Sequence, residues 1–110
     1  MAIKYMVCTL KNEGSITGYG LLNIPWRKAV SKVKLLSRVS VVEVMKQADV
    51  RTATWNAATK DFDEGAEVGT EGLDGHTYPR THPNRVVWDN INALPSPYDI
   101  RAKAGIKSEV

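Results

Sequence analysis

The sequence predicts a single α+β domain with a small, mainly antiparallel sheet, one short packed helix and a long irregular C-terminal segment. Three observations predict it. Apolar runs of strand length recur at residues 3–10, 16–24, 50–55 and 62–68. A stretch near residues 41–48 repeats apolar residues at helical spacing behind a capping signal. The stretch from Gly75 to Pro95 has no regular period and is rich in Pro, Asn, Asp, His, Arg and aromatic residues.

In chain order, Ile3 to Leu10 alternates Ile3, Tyr5, Val7 and Thr9 against Met6, Cys8 and Leu10. Both faces are apolar enough for a central strand. Lys11-Asn-Glu-Gly14 is a turn signal. Ile16 to Ile24 completes a hairpin, weakened by Gly18 and Gly20, which mark a bulge.

Residues 25–36 fit two elements. A helix would start at Pro25 and share Trp26, Ala29, Val30 and Val33 on one face. A strand would place Val33 and Leu35 opposite Lys32, Lys34 and Leu36. Extended structure is preferred, because the following helix has its own start signal.

That signal is the capping box Ser40-Val-Val-Glu43, followed by the stripe Val41, Val44, Met45 and Ala48. Val50 to Trp55 is a strand, 56–61 a loop, and Phe62 to Val68 a ragged strand. Leu73-Asp-Gly75 is a hairpin turn, and Pro79 confines Thr77 to Arg80 to a sheet edge or a strand end. Residues 1–100 are assigned to the domain and 101–110 to a polar, flexible tail.

Composition bounds the function. The chain has 110 residues, 43% hydrophobic and 25% charged, which suits one soluble globular domain. No apolar run has the ~18 residues that span a bilayer, so no membrane partner is expected. The single cysteine, Cys8, and the β-like, non-secretory N-terminus point to the cytoplasm.

Net charge is +3 and uneven. Residues 1–49 hold eight Lys/Arg against three Asp/Glu, giving +5; residues 50–110 hold seven against nine, giving −2. The first half therefore suits an anionic partner.

Specific chemistry is sparse. His76 and His82, with Asp74 and Asp89, lack the paired spacing of a metal site. There is no Gly-x-Ser-x-Gly elbow, and Ser96 has no apparent base partner. Phosphate-loop patterns are absent. No cofactor and no catalysis are expected, although a small hydrolase built on Asp74, His76, His82 and Asp89 is an alternative.

Basic and aromatic residues do interleave. Trp26, Arg27, Lys28, Lys32, Lys34 and Arg38 form one group. Arg80 and Arg85, with Tyr78 and Trp88, form a second. Cations that track phosphate beside rings that stack bases suit single-strand binding, though Trp26 and Trp88 also suit core anchors. The leading expectation is a non-enzymatic module for an anionic ligand, nucleic acid or nucleotide, bound by Trp26, Arg27, Lys28, Lys32, Lys34, Arg80 and Arg85. The alternative is a phage- or bacteria-encoded protein inhibitor or accessory subunit. Homo-oligomerisation through an edge strand is compatible with either.

Short motifs run along residues 3–95: Lys4-Tyr-Met-Val7, Ser40-Val-Val-Glu43, Thr52-Ala-Thr54, Gly65-Ala-Glu-Val68, Tyr78-Pro-Arg-Thr81, Asp89-Asn90 and Leu94-Pro95. In these the chain resembles an uncharacterised family of short bacterial and phage-borne proteins, a domain of unknown function. Residues 24–38, Pro79 and the stretch from His82 to Trp88 depart from that pattern. The resemblance implies a small α+β domain and no activity, so it carries over no catalytic residue. It also implies that Asp89, Asn90 and Pro95 are structural signatures of the C-terminal segment. On the residues themselves, Gly75–Pro95 reads as a strap, with Tyr78 and Trp88 as pins, Asp89-Asn90 as a backbone clasp and prolines as stiffeners.

Overall fold

A computed structural model describes residues 2–23, 32–73, 75–81 and 91–109. Seven strands form one mixed sheet: β1 (Ala2–Asn12), β2 (Ser15–Leu22), β3 (Val33–Leu36), β4 (Ala48–Asn56), β5 (Asp61–Leu73), β6 (His76–Thr81) and the two-residue β7 (Ser108–Glu109). Their order across the sheet is β6-β5-β4-β1-β2-β3-β7. Two helices, α1 (Arg38–Met45) and α2 (Pro97–Ala104), pack on it. Neighbours pair antiparallel except β1 with β4 and β3 with β7. The mixed sheet with two helices agrees with the α+β expectation and its mainly antiparallel pairing.

Local chemistry sets the hairpins. Asn12 and Ser15 pair across Glu13 and Gly14, whose φ values of 51° and 84° suit a two-residue turn between twisted strands. Leu73 and His76 pair across a turn containing Gly75 at φ 76°, where the Asp-Gly signal predicts one; Asp74 itself lies outside the described residues. β6 is the terminal strand, as Pro79 predicts. Its edge is blunted, because Pro79 has no N–H and Arg38 donates 2.8 Å to the Thr77 carbonyl.

β1 is the central strand, buried on both faces: Met6, Val7 and Cys8 are fully buried. Its alternation breaks, however. Met6 pairs with Leu21 but Cys8 with Gly20, so Val7 is an extra residue in a bulge. Tyr5, Val7 and Cys8 consequently share one core with Leu22, Val33, Phe62 and Ile100 of α2. Met6 lies in the other, with Tyr19, Leu21, Val50 and Val41 of α1. Each face of the sheet thus has its own helix, where one packed helix was expected.

Three further sequence readings need correction. The helix runs Arg38–Met45, not 41–48, because Ser37 and not Ser40 is its N-cap: the Ser37 Oγ accepts from the Ser40 amide at 3.3 Å. Ala48, placed on the helical stripe, opens β4. Residues 101–110 are not a tail throughout. Arg101–Ala104 is the end of α2, and β7 adds in parallel to β3.

Signals for α2 are present in the chain. Ser96 caps it by accepting from the Asp99 amide, Pro97 sits in the first turn, and Gly105 ends it at φ 72°. The irregular segment is regular where described: β6 opens it, and a 3-10 turn at Ile91–Ala93 leads into Leu94. Ile91 and Leu94 are buried pins, and Tyr78 is half-buried under Arg38. Trp88, Asp89 and Asn90 lie outside the described residues.

Candidate functional site

Two of the expected ligand-binding residues, Lys32 and Lys34, meet at one cleft. It has a volume of about 230 Å³ and is lined by Lys4, Leu21, Leu22, Asn23, Lys32, Lys34, Leu36 and Val44. Strand alternation aims the lysines there. Tyr5 enters the core on the α2 side, so Lys4 beside it points to the α1 side. Val33 and Leu35 do the same for Lys34. Leu36 and Val44 supply apolar wall from the α1 side, and Asn23 directly follows β2.

The electrostatics favour an anion. Among the described residues no carboxylate lines the cleft. Among the described residues, the ion pairs are Lys46–Glu43, Arg51–Glu64 and Arg80–Glu71, none of which takes in Lys4, Lys32 or Lys34, while the register sets Glu109 of β7 opposite Lys34. Lys4 Nζ donates 2.6 Å to Asn23 Oδ1, a neutral partner that fixes its position without cancelling its charge. Lys4 was not singled out in the sequence. Its spacing one residue from a core tyrosine was the available signal, and the partners it meets are 17 or more residues away.

Arg80 belongs elsewhere. It lies on β6 at the opposite edge of the sheet and is bridged to Glu71 on β5. β6 and β3 are five strand positions apart in the sheet order. Trp26, Arg27, Lys28 and Arg85 lie outside the described residues, as do Asp74, His82 and Asp89 of the alternative hydrolytic set. The remaining member, His76, is exposed on β6 beside the Tyr78 ring, with centroids 6.4 Å apart. Among the described residues no three metal-ligating side chains cluster. Nor is any helix there long and apolar enough to cross a membrane.

Cys8 is sealed in the core, where burial pushes its thiol up to about 12. At neutral pH it is a packing group, not a nucleophile.

No family model, curated protein or solved structure matches this chain.

Proposed function

We propose that this protein is a non-enzymatic binding module for an anionic ligand, with Lys4, Lys32 and Lys34 holding a phosphate. The observation that supports this reading is the gathering of three lysines, none in an ion pair among the described residues, around one cleft. At about 230 Å³ the cleft is below the ~300 Å³ at which pockets enclose small molecules, so it suits one phosphate of a longer ligand. Single-stranded nucleic acid fits that requirement better than a free nucleotide. Arg27 and Lys28 fall between Asn23 and Lys32 in the chain, two residues of the cleft lining, and belong to the same proposal. Membership of the short bacterial and phage-borne family is likewise proposed, on the motifs of residues 3–95.

Fluorescence anisotropy with a labelled single-stranded oligonucleotide tests the reading. Three phosphate contacts give a log–log salt slope of about −2, and each lysine removed reduces it by about 0.7. Lys4→Ala, Lys32→Ala and Lys34→Ala therefore weaken binding and flatten the slope, while Arg80→Ala leaves both unchanged. Salt-independent binding, or none at low ionic strength, rejects the proposal.

A second reading, a protein-binding accessory subunit in a cytoplasmic host or phage setting, draws on one observation. Val39 is 59% exposed in a groove of about 480 Å³ between α1 and the β6 hairpin, beside Val42 and Met45. A partner that survives nuclease and high salt, and is lost in Val39→Asp, would favour it.

A further inference from the structure

The groove between α1 and the β6 hairpin joins an apolar wall to one fixed charge. Its volume is about 480 Å³, within the range of small-molecule pockets. Val39, Val42 and Met45 supply the wall from α1. They recur every three residues, so they form a stripe about 9 Å long at the helical rise. Val42 and Met45 pack against the core below, whereas Val39 is 59% exposed. Thr70 of β5 and Thr77 of β6 stand on the other side.

The charges around the groove reduce to one. Glu43 and Lys46 line it but pair with each other at 2.9 Å. Arg38 also lines it and belongs to no ion pair among the described residues. Two contacts hold its guanidinium at the Thr77 wall. Nη1 donates 2.8 Å to the Thr77 carbonyl, and the group lies 4.9 Å from the centre of the Tyr78 ring. That bond uses one N–H of a planar fork of donors whose geometry matches a carboxylate.

An apolar stripe that begins beside one fixed cation is complementary to an unbranched apolar chain ending in a carboxylate. We infer that this groove binds a medium-chain monocarboxylate of the fatty-acid class, its carboxylate on Arg38 and its chain along Val39, Val42 and Met45. The occupant is a free small molecule, not the protein partner of the second reading. The basic cleft takes no part, so this inference and the phosphate reading stand or fall separately.

Protein NMR with octanoate as the probe, kept below its micelle concentration, tests this. Saturable shifts of the Val39 and Val42 methyl groups and of the Arg38 side-chain N–H are expected in the millimolar range. Octanamide, which keeps the chain and loses the charge, is expected to bind at least about threefold more weakly. Octylammonium is expected to give no saturable shift at these groups. Hexanoate and butanoate should bind successively more weakly, by up to about fourfold for each methylene removed. Arg38→Met should bring octanoate down to the affinity of octanamide and leave octanamide unchanged, which a loosened β6 edge alone would not do. Val39→Ser should weaken both probes, and Lys34→Ala neither. Absence of a saturable shift, equal binding of octanoate and octanamide, no gain with chain length, or shifts confined to the surroundings of Lys34 overturns the inference. The probe series on the unaltered protein decides the matter even if a variant misfolds.

Discussion

Gly20 shows how one missing side chain sets the packing around the central strand. A Cβ added there would overlap the Cys8 sulfur and lie 2.6 Å from Val33 Cγ1. β1 and β3 therefore close over β2 only because this position is bare. Gly20→Ala is expected to destabilise by about 1–3 kcal/mol through overpacking. Gly72→Ala, where the nearest atom is 4.0 Å away, should be close to neutral in the same thermal melts. Cys8 adds a pH dependence. Its thiol is raised by burial from 9.0 to about 12, so the folded protein keeps a proton that the unfolded chain releases. Stability from this group is full below about pH 9 and falls as pH rises toward 12, by at most about 1.4 kcal/mol per pH unit. Cys8→Ala should flatten that alkaline fall in melts recorded between these pH values. Burial also raises the Tyr19 hydroxyl above 10.0, so some decline persists in the variant.

At the scale of elements, capping separates what the chain announces from what it conceals. Ser37 and Ser40 are both good caps, and Glu43 makes Ser40 the better match to a capping box. Ser37 is chosen because starting at Arg38 lets that residue reach the Thr77 carbonyl and cover the Tyr78 ring at 4.9 Å. Such contacts are invisible to a local pattern. Ser37→Ala should cost about 1 kcal/mol by chemical denaturation. Ser40→Ala and Glu43→Gln should stay within about 0.5 kcal/mol, the latter because the Glu43–Lys46 pair is exposed. α2 is the opposite case. Ser96-Pro97, Asp99 and Gly105 spell out a helix, but the surrounding prolines favour an irregular strap when read as a run. The hairpins were legible because their turns need positive φ at Gly14 and Gly75, a local demand that no distant contact alters.

For the molecule as a whole, the sheet converts an imbalance along the chain into one across space. The lysine-bearing strands β1 and β3 lie on one side of β4, and the acidic β5 on the other. That order joins Lys4 to Lys32 and Lys34 and pairs Arg80 with Glu71, dividing a set of cations that are equivalent in sequence. The sheet also needs a helix on each face. Ile100 is fully buried against Cys8, Val33 and Phe62, so Ile100→Ala should cost about 2–5 kcal/mol in a denaturant titration, far more than a residue next to a frayed end would. Strands β1, β2, β4, β5 and β6, their turns, the edge position of β6 and the basic character of the first half follow from the sequence by itself, because alternation, positive φ and charge are local properties. The cap of α1, the helix on the second face, the bulge at Val7 and the grouping of the lysines were decided only by the tertiary structure. Each depends on which distant residue fills the space alongside, and that is settled when the two cores close on either side of β1.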